Sequence, residues 1–249
     1  MKEKLSVWKI YRNAYRYLIS HLFAFAFLTI FYFIGSLLPI LIGVGGGFIH
    51  NIFATFYIFI FFYFAASCYF KQQLLFDKQI FLASGVRFIT AVVFFVIALL
   101  IGSYVINLSI SFVGFLPIGK AFIGWISDTF VWFIVKYLFI LFLFVVSFLI
   151  PMFAFVSEIY GKSKSLLISF AKTRYNIFRI CIVALIAFLM LLVAMYLMSY
   201  INILIAAFLR SIVLVYISLV YFKMYDFFFI YRVKNKESKI KKIFSKLEE

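Results

Sequence analysis

Residues Phe88 to Leu108 read FITAVVFFVIALLIGSYVINL, a stretch without a charged side chain. About 20 apolar residues in a helix cross the roughly 30 Å hydrocarbon layer of a bilayer. A barrel strand needs only about 10 and alternates between polar and apolar, a pattern missing here. Five further stretches are long and apolar enough to do the same, near Phe23 to Gly43, Ile49 to Tyr69, Phe130 to Val156, Arg179 to Tyr200 and Ile203 to Tyr225. The expected fold is therefore an all-α polytopic membrane protein. It has six transmembrane helices in one domain over residues 1–232, followed by a basic amphipathic tail over 233–249.

Composition supports the same solvent. Of the 249 residues 67% are hydrophobic, 23% aromatic and only 13% charged, too few charges to cover a water-facing surface. Lys and Arg number 24 against eight acids, a net charge of +16. Because the basic residues lie in short segments between apolar runs, anionic lipid headgroups are the nearer counter-charge, and nucleic acid is not an expected partner. Cys68 and Cys181 follow no metal or redox spacing and read as packing residues in a reduced setting. The first apolar run is longer than a signal-peptide core and lacks a small-x-small cleavage site, so it reads as an uncleaved first span.

Positive residues are retained on the cytoplasmic side during insertion. Five lie ahead of the first span, Lys71, Lys78 and Arg87 join spans two and three, and Lys162, Lys164, Lys172, Arg174 and Arg179 join spans four and five. Eight more follow from Lys223 onward. The other connections hold only Lys120, a contrast of 21 against 1. Both termini are expected in the cytoplasm of a bacterial cell with the spans in its inner membrane.

Within residues 4–20 the basic side chains Lys9, Arg12 and Arg16 fall on one arc at about 100° per residue, with Leu5, Trp8, Tyr11, Tyr15, Leu18 and Ile19 outside it. Such a helix is expected to lie in the membrane interface, aromatic side in the acyl boundary and basic side toward headgroups. The tail repeats the pattern, with Ile240, Ile243, Phe244 and Leu247 at helical spacing among lysines. Amphipathic stretches precede spans one, three and five, suggesting three copies of one unit. The link Ser109 to Thr129, marked by Gly114, Pro117, Gly119 and Gly124, reads as interfacial or re-entrant. Trp125 and Lys120 suit the headgroup layer.

Lys136 and Arg210 are the strong charges left inside spans. Snorkelling to the outer headgroups is one reading. The other is a shared outward cavity binding an anion or lipid phosphate, with Asp128 as counter-ion. No carboxylate is expected near mid-membrane, which argues against proton- or sodium-coupled transport. Glu158 and Asp226 should pair with nearby cations. His21 and His50 lie on opposite expected sides, the glycines at 43 and 45–47 lack the Lys-Ser/Thr of a phosphate loop, and no Gly-x-Ser-x-Gly is present. No enzyme activity, metal or cofactor is expected. Pro151 should disturb span four, while Ala65, Ala66, Ser67, Ala184 and Ala187 permit close helix approach.

The run from Ser169 through Thr173 and Asn176 to Arg179 resembles the Ser-x-x-x-Thr-x-Gly-Asn-x-x-Arg pattern that precedes a span in certain six-helix bacterial membrane proteins. Among these are the YciC-like inner-membrane proteins and the membrane domain attached to some glycerophosphodiester phosphodiesterases. Tyr175 stands where the pattern has Gly. The resemblance implies a helical membrane domain linked to envelope lipids and supplies no catalytic residues. The expected role is thus non-enzymatic and lipid-associated, with Lys9, Arg12, Arg16, Lys172, Arg174 and Arg179 on the membrane surface, and with anionic lipids and other membrane subunits as the expected kinds of partner. The alternative is a transporter or channel subunit for an anionic solute or lipid, lined by Lys136 and Arg210.

Overall fold

The computed structural model describes residues 4–41, 48–72, 76–114, 130–161, 166–198 and 203–231. The link over 115–129 with Asp128, Lys120 and Trp125, the glycine run over 43–47, the side chain of His50 and the tail from residue 232 lie outside the described residues. Every described element is helical. Among the described residues, five helices are long and apolar enough to cross a membrane, or six if the bent pair at the N-terminus counts as one span.

That pair is α1 (Val7–Ser20) and α2 (Leu22–Leu41), which meet at 96°. The corner lies at a single residue. His21 leaves helical geometry at φ −127°, ψ 35°, and the Ser20 hydroxyl donates to the Tyr17 carbonyl at 3.0 Å. Ser36 and Ser84 make the same back-bond inside helices that continue, so this bond accompanies the corner without accounting for it.

Next come α3 (Phe48–Lys71) and α4 (Lys78–Gly114). At 37 residues α4 is about 55 Å long, so part of it must tilt or extend beyond the apolar layer. The stretch before span three is thus no separate helix. Span four comprises α5 (Phe130–Phe144), a π-helical segment at Val145–Leu149, and α6 (Ile150–Ile159). The disturbance expected from Pro151 takes this form. Proline has no N–H for the Ser147 carbonyl, and the winding widens just upstream, with the Ile150 N–H bonded to the Val145 carbonyl. The Tyr221 hydroxyl donates to the Leu149 carbonyl at 3.0 Å, fixing this segment to the last span.

The chain ends with α7 (Leu166–Thr173), a 3₁₀ turn (Arg174–Asn176), α8 (Ile177–Met198), α9 (Ile203–Tyr225) and a second π segment (Asp226–Tyr231). Helical winding is unbroken from Leu166 into α8, so only the first of the three presumed units is set off by a sharp bend.

Two helices organise the bundle. α9 packs on α8, α1, α2 and α3, and α6 packs on α4, α7 and α3. Every residue of α6 except Glu158 is buried, as expected for a helix apolar all round and enclosed by others. Its Phe153 ring stacks on Tyr221 at 4.8 Å and 7°, and the Tyr225 ring stacks on Phe229 at 4.8 Å. Ala65, Ala66, Ser67, Ala184 and Ala187 are buried where helices approach. By contrast Phe23, Leu100 and Tyr104 are among many large apolar side chains facing outward, tolerable where hydrocarbon is the solvent.

Candidate functional site

Where they are described, the helix ends that flank the connections rich in Lys and Arg meet at one end of the bundle, here called the basic end. Among the described residues, ion pairs there join Arg87 Nε to Glu158 Oε1 at 3.2 Å, linking α4 to α6, and Lys223 Nζ to Asp226 Oδ2 at 3.8 Å. Both acids therefore have the cationic partners expected of them. The Tyr69 hydroxyl also donates to Asp226, and the Lys223 ammonium lies 4.3 Å from the Tyr17 ring centroid and 4.7 Å from that of Tyr69. With the Tyr17 hydroxyl donating to the Tyr69 carbonyl at 3.2 Å, this node ties the α1–α2 corner to the ends of α3 and α9. A cation held between aromatic faces beside a carboxylate keeps favourable partners after losing part of its hydration.

α1 carries three distinct sides. Ile10, Tyr11 and Ala14 are buried, mainly against α9 and also toward α8. Trp8, Tyr15 and Ile19, between 54% and 77% exposed, share an outward arc of about 40° at 100° per residue. Arg12, Arg16 and Lys9, also exposed, occupy the adjoining arc of about 60°. Periodicity alone puts Tyr11 and Leu5 with Trp8 and Tyr15 on one acyl-facing side. The structure separates them, because Tyr11 and Leu5 are buried in the protein.

The anchors of α1 come from far along the chain. Asn176 Oδ1 accepts from the Leu5 N–H at 3.0 Å and the Arg179 guanidinium donates to the Leu5 carbonyl. The Tyr11 hydroxyl donates to the Val183 carbonyl at 2.8 Å, and the Tyr216 hydroxyl donates to the Tyr11 carbonyl at 3.0 Å. Ser169, Thr173 and Asn176 are all buried, and Thr173 Oγ1 donates to the Ser169 carbonyl at 2.8 Å. The quoted pattern thus forms a continuous inward face.

Of the six proposed surface cations, Lys9, Arg12, Arg16 and Arg174 are exposed, and the Arg174 guanidinium lies over the Tyr175 ring at 4.6 Å. Lys172 turns its ammonium over the Phe229 ring at 4.9 Å, and Arg179 turns inward to Leu5. Lys136 and Arg210 are exposed on α5 and α9. α5 packs on α4 and α8, and α9 packs on α8, α1 and α2. A groove of about 420 Å³ between α8 and α9 is lined by Ile186, Leu189, Met190, Val193, Ala194, Leu209 and Val213, and neither cation belongs to its lining.

Comparison of the chain with protein-family models, with curated proteins and with solved structures finds no match. The roles of Asn176 and Arg179 toward Leu5, and of Tyr69 toward Asp226, are not legible in the sequence. Each partner is separated from the other by too long a stretch of chain for periodicity to reveal it. The only sequence signal was polar residues at 169, 173 and 176 with helical spacing, which marks a face without naming what it meets.

Proposed function

We propose that this chain is a non-enzymatic integral membrane protein with an envelope or lipid-associated role, placed in a bacterial inner membrane with its basic end in the cytoplasm. The observation that carries this reading is the three-sided α1 set at 96° to α2. If α2 crosses the bilayer, α1 lies in the plane of its surface. One side then contacts protein, the Trp8, Tyr15 and Ile19 side meets acyl chains, and the Lys9, Arg12 and Arg16 side meets anionic headgroups. Each surface cation near such a layer contributes on the order of 1 kcal/mol. The resemblance carried by Ser169, Thr173, Asn176 and Arg179 agrees with an envelope setting.

The test is retention of lipid by the full-length protein released from bilayers of phosphatidylglycerol and phosphatidylcholine, followed by native mass spectrometry. The native chain should keep phosphatidylglycerol preferentially, and the triple change Lys9→Gln, Arg12→Gln, Arg16→Gln should abolish that preference while the spans remain inserted. Equal retention of both lipids by the native chain would sink the proposal. Orientation is tested separately, by labelling a single cysteine introduced at Ser165 in intact cells after removal of Cys68 and Cys181. Only a membrane-permeant probe should reach it.

A further inference from the structure

Leu5 lies ahead of α1 with its side chain fully buried, and its backbone N–H and carbonyl are both met by side chains 171 and 174 positions further along. Buried main-chain groups outside regular structure need such partners. Asn176 and Arg179, three residues apart where the 3₁₀ turn passes into α8, share a side of the helix and grip one peptide segment together. Six residues beyond Leu5, Tyr11 makes two more bonds to α8 and α9.

We infer that Asn176 and Arg179 form a backbone clamp on Leu5 that sets the rotation of α1 about its own axis. The inference rests on the lipid reading for its purpose and not for its geometry. A change of one residue in register turns a helix by about 100°, enough to carry the Arg12 and Arg16 strip out of the headgroup layer and bring a different side toward it. The clamp engages main-chain atoms, so it fixes orientation without regard to the outward side chains. Asn176 and Arg179 act through α1 and are positioning residues; the lipid contact is made by Lys9, Arg12 and Arg16.

Hydrogen–deuterium exchange of the full chain in nanodiscs tests this, with Asn176→Leu, Arg179→Met, Arg179→Lys and the control Arg174→Met, which removes the same charge from an exposed neighbour. Asn176→Leu and Arg179→Met should each speed exchange across α1 by about tenfold or more, leave residues 215–229, in α9 and the π segment after it, unchanged, and lower phosphatidylglycerol retention toward that of the triple variant. Arg179→Lys should recover part of the protection, and Arg174→Met should leave the rates as they were. Unchanged α1 exchange in both clamp variants would overturn the inference. So would acceleration spread equally over α1 and residues 215–229, which would make the pair ordinary core residues. If α1 loosens as expected but the native chain never prefers phosphatidylglycerol, the clamp stands and the lipid reading alone falls.

Discussion

Along α4 the same kind of sequence meets two fates. Near the basic end one side of the helix is buried, at Ser84, Phe88 and Ala91, with Phe88 beside Phe155, while Val86 and Ile89 face outward; from Val92 to Val105 Gly102 alone is buried, and Val93, Ile97, Leu100 and Tyr104 face outward. Both stretches are apolar, so hydropathy does not separate them. In hydrocarbon a leucine gains little by leaving lipid for protein, and helices associate through close packing and directional bonds. The basic end has both: Ala65, Ala66 and Ser67 against neighbouring helices, Tyr221 on the Leu149 carbonyl, Tyr69 on Asp226, Arg87 with Glu158, and the grip on Leu5. The half away from it has fewer such devices among the described residues. Close approach there depends on particular glycines, as at Gly35, where a methyl group would sit 1.7 Å from the Tyr57 ring.

The sharpest way to break this contrast is a pair of truncations. Phe153→Ala removes a fully buried ring stacked on Tyr221 and should cost about 3–5 kcal/mol of stability, whereas Leu100→Ala, outward-facing, should stay within about 0.5 kcal/mol. Denaturant titration in detergent micelles measures both. Equal losses would mean that the two halves are packed alike.

A smaller effect is expected at the ion pair between α4 and α6. Glu158→Gln or Arg87→Met should each cost about 1–3 kcal/mol, below the figure for a wholly buried pair, because the Arg87 side chain is 34% exposed. In a double-mutant cycle the two losses should fall short of additivity by roughly 1 kcal/mol. Strict additivity would remove this bond from the account of the basic end.

Gly35→Ala probes the opposite half. The added methyl must displace Tyr57, whose hydroxyl bonds to the Phe31 carbonyl, at a cost of about 1–3 kcal/mol. Pairing it with Tyr57→Ala should recover part of the loss. If Gly35→Ala is silent, α2 and α3 do not need that close approach.

How much of this was legible beforehand follows from the same physics. Span positions could be read because about 20 apolar residues in sequence are a local signal, and Phe130 to Val156 and Ile203 to Tyr225 fall within helical runs beginning at the same residues. The cations Lys9, Arg12 and Arg16 could be placed on one side of a helix for the same reason. Which of the remaining sides of α1 meets protein could not, since Tyr11 and Tyr15 are identical residues and only contacts with Val183 and Tyr216 bury the first. Arg179 illustrates the limit at the site: as a positive residue near a span it counts toward topology, but its guanidinium is occupied by a carbonyl 174 positions earlier. Periodicity reports faces, and pairing across the bundle depends on tertiary geometry.

The smallest expected effect belongs to Lys136 and Arg210. Both are exposed, and on a lipid-facing surface a long cationic side chain can carry its charge to the headgroups while its stem covers apolar surface. Lys136→Leu and Arg210→Leu should therefore change stability by no more than about 0.5 kcal/mol and leave proteoliposomes as tight to anions as before. The two cations stand on α5 and α9, each packed on α8, and the groove between α8 and α9 has a lining of apolar side chains. An anion entering that groove would shed its water with no charge in the lining to replace it, a cost of several kcal/mol. Flux of an anionic solute that is present in the native chain and lost in either variant would reverse the argument. The loosely joined half would then be a passage, and the lipid reading would yield to transport.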